Sequence, residues 1–277
     1  MSSQDVFPEI AVELKRLESP ALVGLLRVLT RFYLSRADVV VAIGETMRAR
    51  LEVKGVRPDR LRVISNWVDT AAIQPDSNGA EWAREQGLDS RFVVMHSGNV
   101  GHAQDLDSLI RAATFLRDLE NLRIVVIGSG ARHADVVDLA DRLEVDVQFL
   151  PYQPRERLAQ SLSSADIHVV GLAAGLAGYV VPSRLYGILA VGRPVIVHAD
   201  EDSEAAKIVR DNGVGLVVPP GRPELLAAAI RSAYEGRFDL GQMGASARTY
   251  AVAQASRNVA IDRYLGLIGA VAGAGRS

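Results

Sequence analysis

Cysteine is absent from the 277 residues, which excludes disulfides and every metal site built on thiolates. Aromatic residues are scarce, at 5%. The core must therefore be assembled from Val, Leu, Ile and Ala, which supply most of a 48% hydrophobic content. Charge of one sign is also lacking. The 31 Lys and Arg against 33 Asp and Glu leave a formal −2, which argues against a nucleic-acid binder, since such proteins are usually basic. The opening MSSQDVFPEI has neither the charged nor the apolar region of a secretory signal. The longest weakly polar run, 167–182, holds His168 and five residues unsuited to a helix, Gly171, Gly175, Gly178, Val180 and Val181. It does not read as a membrane span, which needs about 20 apolar residues. Familiar phosphate fingerprints are missing too. Gly128-Ser129-Gly130 is followed by Arg132 and His133 instead of completing G-x-G-x-x-G, and no Walker A pattern occurs. The five histidines show no metal-ligand spacing. His96, His168 and His198 fall on or at the ends of expected strands and read as core or sheet-edge residues. These totals suggest one large or two modest domains and a cytoplasmic setting.

What is present is a regular alternation. From Phe92 onward, strands are expected at 92–96, 122–127, 146–150, 166–170, 195–197 and 213–218. Helices are expected at 105–116, 131–143, 155–163, 183–191, 223–234, 240–251 and 256–268. Strands alternating with helices predict a parallel sheet covered on both faces. Right-handed crossovers then bring every strand-to-helix loop to one edge, where such sheets bind ligands. Upstream, two strands are recognisable, at 39–43 and 62–65, with helices at 45–54 and, in two pieces broken near Ser19-Pro20, at 8–36. The second piece carries Arg27, Arg31 and Arg36 beside an apolar stripe. Such a helix can lie on an anionic membrane; a packed surface helix with solvated arginines is the commoner outcome. The closing GAVAGAGRS reads as frayed.

Two loops carry candidate chemistry. Gly98 and Gly101 bracket Asn99 in a strand-to-helix loop, and glycine lets backbone approach a phosphate closely. His102 follows in the same loop. The stretch 171–197 reads as a glycine-rich loop, a short helix capped by Ser183, and a buried strand. Arg184 in the first helical turn does not favour the helix dipole. It makes more sense if an anion binds between it and the helix end. The plain alternatives are a tight structural turn and a surface arginine.

The segments SNWVD at 65–69, FVVMHSGNVGHAQDLDSLIRAA at 92–113 and VVPSRLYGILAVGRPVI at 180–196 together resemble the family-four glycosyltransferases of GT-B fold. Among them the chain is most similar to bacterial enzymes of surface-polysaccharide assembly, including the N-acetylfucosamine transferase type. FLPYQP at 149–154 and GVGLVVPPGRPELLAAAI at 213–230 extend the likeness. The resemblance implies a Rossmann-like parallel sheet, the C-terminal half of a GT-B fold, preceded by a truncated N-terminal α/β portion. It implies a remnant of the first domain at 1–70, a nucleotide-sugar-binding domain at 71–255, and a helix from 256 returning to the first portion. It implies that Arg184 is catalytic and supplies charge to the leaving phosphate. Gly98, Asn99, Gly101, His102, Gln104, Gly128, Gly130, Tyr152, Ser183, Leu185 and Tyr186 would bind substrate, with the 98–101 loop cradling the diphosphate and Tyr152 bordering the base. The two glutamates common in relatives fall here at Tyr179 and Gly187, and the basic pair of the first loop is replaced near Gln104 and Asp105.

The expected activity is transfer of a sugar, with retention, from a nucleotide-diphosphate sugar to a glycan or lipid-linked acceptor. No cofactor, metal or nucleic acid is expected. Peripheral contact with the inner face of the membrane is expected as a partner, as is self-association or a separate N-terminal half. Two other readings stay open. One is a donor-binding half that is inactive without that partner. The other is a nucleotide-sugar epimerase of similar fold, whose usual acid/base carboxylates are not evident.

Overall fold

The computed structural model describes residues 1–274. Its first part is a parallel sheet of β1 (Ser2–Ser3), β2 (Val40–Ala42) and β3 (Leu61–Val63) in that order. Helices α1 (Glu9–Glu13), α2 (Pro20–Arg36) and α3 (Glu45–Val53) accompany it. α2 starts where Ser19 accepts the Leu22 N–H and Pro20 fills the first helical position, a place that tolerates proline because its N–H would be unpaired anyway. α4 (Gly79–Glu85) follows the linking segment.

The second part is a six-stranded parallel sheet. Its strands are β4 (Phe92–Ser97), β5 (Leu122–Ile127), β6 (Val147–Leu150), β7 (Ile167–Gly171), β8 (Val195–His198) and β9 (Gly215–Val218), ordered β6-β5-β4-β7-β8-β9. Helices α5 (Leu106–Ala113), α6 (His133–Arg142), α7 (Leu158–Ser163), α8 (Arg184–Ala190), α9 (Glu204–Asn212) and α10 (Pro223–Tyr234) are the crossovers and the cover. α11 (Leu240–Gln254) and α12 (Arg257–Ala274) close the chain. This is the Rossmann-like α/β arrangement. The strand order reverses between β4 and β7, and a crevice opens at such a switch point. β7 and β8 are buried along their whole length, as continuous β-branched runs in parallel sheets are.

The two sheets share a core. Val40, Met47 and Leu51 of the first part pack in one cluster with Leu185, Tyr186, Ile188, Val197 and Ala251 of the second. The small sheet thus has no separate core to sustain, which three short strands could not do alone. α12 returns toward the first part. Ser256 bridges to Val68, and the Tyr264 hydroxyl lies 3.4 Å from Ser2 Oγ.

Several expectations need correction. The upstream part has three strands, not two, because β1 spans only two residues and leaves no alternation to detect. α4 and α9 were not expected. α9 nevertheless has local signals: Ser203 accepts the Ala206 N–H at 3.2 Å, and Gly213 takes the left-handed position after its end. Ser183 does not cap α8; its own backbone is helical and its side chain makes no capping bond. α12 runs to Ala274, so the expected fraying from Gly269 does not hold there, and 275–277 lie outside the described residues.

Candidate donor-binding site

A cleft of about 750 Å³ opens at the switch point, between the C-terminal ends of β4 and β7 and the first part of the chain. Gly98, Asn99, Gln104, Tyr152, Ser183 and Arg184 line it from the six-stranded side. Arg155, Gly171 and Gly187 join them, while Gln4, Asp5, Asn66 and Trp67 form the opposite wall.

Arg184 dominates the charge of this cleft. Its side chain reaches back from α8 to the strand ends, where Nη2 donates to the Gly171 carbonyl at 3.0 Å. Nη1 stands 3.5 Å from His96 Nε2, and Nε is buried without a partner. No carboxylate lies within ion-pair distance of it among the described residues. Desolvation therefore acts almost unopposed and pushes its pKa down to about 10, the nearby Tyr152 being the one group acting the other way. Arg184 remains a cation at neutral pH. A desolvated cation without a counter-charge is costly unless something anionic completes it. His96, fully buried on β4, is held well below its usual pKa by burial first and by the Arg184 charge second, so it stays neutral and adds no competing charge.

The glycines explain how the loops close on this arginine. Gly98 has φ +144°, and a Cβ there would meet Arg184 Cδ and Nη1 at 3.3 Å. Gly128 has φ +135°, and a Cβ would lie 1.9 Å from the Gly98 carbonyl oxygen. Backbone packs on backbone at this point, and only glycine permits that. Tyr152 reaches over the same loops, its hydroxyl donating to the Ser129 carbonyl at 3.3 Å. Its half-exposed ring forms part of the cleft rim.

The loop offers fewer N–H groups than a phosphate cradle would. The Gly98 N–H donates to Ile127, that of Val100 to Ser129, and that of Gly101 to Gln104 Oε1. Gln104 thereby serves the loop's own geometry. Gly101, His102, Gly128 and Gly130 shape the loops without lining the cleft. Leu185 and Tyr186 are 0% and 1% exposed and belong to the shared core, so their side chains are removed from any ligand. Conversely, Gln4 and Asp5 were missed. They follow a strand too short to be seen in the sequence, and Asp5 is placed at the cleft by an antiparallel bridge to Val180, a tertiary contact. Desolvation raises the Asp5 carboxyl.

A six-stranded parallel sheet in this order, with a crevice at its switch point, defines a Rossmann-like α/β protein. Residues 80–250 match the family described as glycosyl transferases group 1, and residues 8–67 match a glycosyl transferase 4-like domain. The chain belongs to the group 1 glycosyl transferases. A Pseudomonas aeruginosa protein named as the glycosyltransferase WbjE is 29% identical over 94% of this chain and 65% of its own length. An Escherichia coli K12 protein named as the colanic acid biosynthesis glycosyl transferase WcaI is 31% identical over 72% of this chain and 50% of its own. The chain thus spans half to two thirds of these relatives. The fold is that of Anabaena HepE solved in complex with UDP, with TM-score 0.81 and 16% identity over 97% of this chain and 71% of that one. No described helix is long and apolar enough to cross a membrane.

Proposed function

We propose that the cleft binds a nucleoside-diphosphate sugar with its diphosphate on Arg184, and that the chain carries the donor side of a retaining transfer to a lipid-linked glycan. On this reading 1–70 is the first-domain portion, 71–255 the donor domain, and 256–277 the returning helix and then the tail. The carrying observation is the Arg184 guanidinium: desolvated, without a carboxylate, and aimed into a cleft large enough for a nucleotide. As the bond from the sugar's anomeric carbon to the diphosphate breaks, the electron pair leaves with the phosphate oxygen. A fixed cation there stabilises the departing group without reorganising. Arg155 at the rim adds a second positive charge. Tyr152 offers an aromatic face for the base. HepE was solved with UDP and with UDP-glucose, which supports a uridine nucleotide as the first donor to try. The resemblance to surface-polysaccharide enzymes supports the lipid-linked acceptor, retention, the N-acetylfucosamine class and a cytoplasmic place at the inner membrane face.

A second reading is that donor binding is present and transfer requires another polypeptide. The pairing of β1 on one side only favours it, because a free strand edge is a template for another strand. Calorimetry with UDP, UDP-sugars and GDP-sugars tests the first claim; absence of binding by every nucleotide overturns it. Radiolabelled transfer to lipid extract by the chain alone then separates the two readings.

A further inference from the structure

The cleft has two half-exposed aromatic rings, one on each wall. Tyr152 stands on the six-stranded side at 53% exposure, and Trp67 on the opposite wall at 49%. Every other large apolar side chain this exposed among the described residues lies outside the cleft. The second tryptophan, Trp82, is fully buried, and its indole N–H donates to Gln153.

Trp67 sits on a segment that is tied down. The Val68 N–H donates to the Ala255 carbonyl at 2.9 Å, and the Val68 carbonyl accepts the Arg257 N–H at 3.0 Å. Arg248 donates to the Thr70 carbonyl at 3.0 Å, to that of Ile73 at 3.1 Å and to that of Ala190 in α8. Val68 and Ile73 pack on the shared core. The backbone is thus fixed while the indole stays in the cleft. A large apolar ring kept wet forgoes the burial that stabilises other such residues. A ring already held in place gives up little rotamer entropy when a ligand covers it.

The two walls differ in charge. Arg184 and Arg155 line the six-stranded side, whereas the wall of Trp67 carries Gln4, Asp5 and Asn66 and no cation. A diphosphate is drawn to the first wall and repelled from the second. The second wall suits a neutral polyol. Amides and a carboxylate hydrogen-bond hydroxyl groups, and an indole turns the negative face of its π-system to weakly positive C–H groups.

We infer that Trp67 is the stacking platform of a pyranose subsite, taking the C–H face of one sugar ring while Gln4, Asp5 and Asn66 address its hydroxyls. A ring with an axial hydroxyl on the stacked face is held off the indole, so the platform selects by stereochemistry. The inference rests on the proposed donor reading for where the phosphate lies. A pyranose reaches the platform from either of two sources, as the sugar still joined to the nucleotide or as a ring of the acceptor. The recognition chemistry is the same for both.

Acrylamide quenching of tryptophan fluorescence tests this on the full chain, because Trp82 is inaccessible and Trp67 carries the quenchable emission. The probes are UDP, UDP-glucose, and glucose or maltose with and without UDP. UDP alone should leave Trp67 quenchable. Protection by UDP-glucose marks the transferred sugar, and protection by glucose or maltose marks an acceptor ring. In Trp67→Ala the affinity for the protecting probe should fall about three- to tenfold by calorimetry. Trp67→Phe should recover most of it, and UDP affinity should be unchanged in both. Protection by UDP alone overturns the inference and assigns the indole to the base. So does the absence of protection by every sugar probe, or an affinity that Trp67→Ala leaves intact. Failure of the donor reading looks different: sugar protection without nucleotide binding keeps the platform and removes the diphosphate from Arg184.

Discussion

Arg184 Nη1 stands 3.5 Å from Nε2 of His96, a fully buried imidazole, and the guanidinium lines a cleft with no carboxylate in ion-pair distance of it among the described residues. The cation donates to a neutral acceptor, the Gly171 carbonyl, beside a neutral imidazole, and its charge is left for a ligand. Arg184→Ala is expected to weaken UDP binding by about 1.5–3 kcal/mol, the range for a charge-assisted hydrogen bond. Isothermal titration reads this directly. An unchanged affinity would reduce Arg184 to a packing residue.

The loop contact makes a sharper steric prediction. Gly128→Ala places a Cβ against the Gly98 carbonyl at 1.9 Å and requires a positive φ, so the two loops must part. Nucleotide binding should be lost and stability should fall by about 1–3 kcal/mol, as for a strained backbone position. Gly187→Ala is the control. It also lines the cleft, but its nearest neighbour is Leu162 Cδ1 at 3.6 Å, an ordinary contact. Thermal melts with and without UDP should leave this variant close to wild type.

Stability should depend on pH through His168. Its ring is fully buried, with Nε2 2.9 Å from the Leu162 carbonyl, and burial lowers its pKa from 6.5 to about 4. Below 6.5 the unfolded chain takes up a proton that the folded chain refuses. Stability therefore falls as pH drops from 6.5 toward 4, an interval worth about 3 kcal/mol for this group. His96 and His198, also lowered by burial, act in the same sense. Glu204, raised by burial, acts in the opposite one. Urea unfolding of wild type and His168→Gln at several pH values isolates the term; parallel curves would refute it.

A fourth prediction concerns the joint between the sheets. The Glu204 carboxylate lies against the start of α3, where its Oε2 is buried without a hydrogen-bond partner. It sits so close that a Cβ on Gly44 would meet its Cδ at 2.6 Å. Lys207 Nζ donates to the Thr46 hydroxyl at 2.9 Å alongside. Glu204→Ala should cost about 0.3–1 kcal/mol, as loss of a negative charge at a helix N-terminus does. Glu204→Gln should lose the same charge contribution. Equal melting of wild type and both variants would show that the joint is held by the apolar core alone.

The regular part of this chain was legible because its signals are local. The runs 92–97, 122–127 and 195–198 are β-branched and apolar, and Pro223 and Gly192 mark helix boundaries, so strand order along the chain and the edge carrying the loops followed from alternation and handedness. Arg184 was legible as an anomaly, a cation in the first turn of a helix. Its reason was not: α8 is short and uncapped, and the arginine acts through its reach to Gly171 and His96, which lie 13 and 88 residues away in sequence. Val40 illustrates the same limit. It lies on a strand of three residues that could not bury it alone, and it is fully buried because the second part of the chain packs against it. Tyr186 stood two residues from the candidate arginine in sequence and turned into the core, since residues two apart on a helix point about 200° apart. Gln4 and Asp5 came to the cleft through the pairing of the preceding Ser2 and Ser3 with β2 and the bridge from Asp5 to Val180, contacts between residues distant in sequence. Periodicity and turn chemistry are properties of neighbouring residues and are written in the sequence. Which charge is left unpaired, and what covers an apolar face, depends on distant segments meeting, and that was decided by the packing of the two sheets.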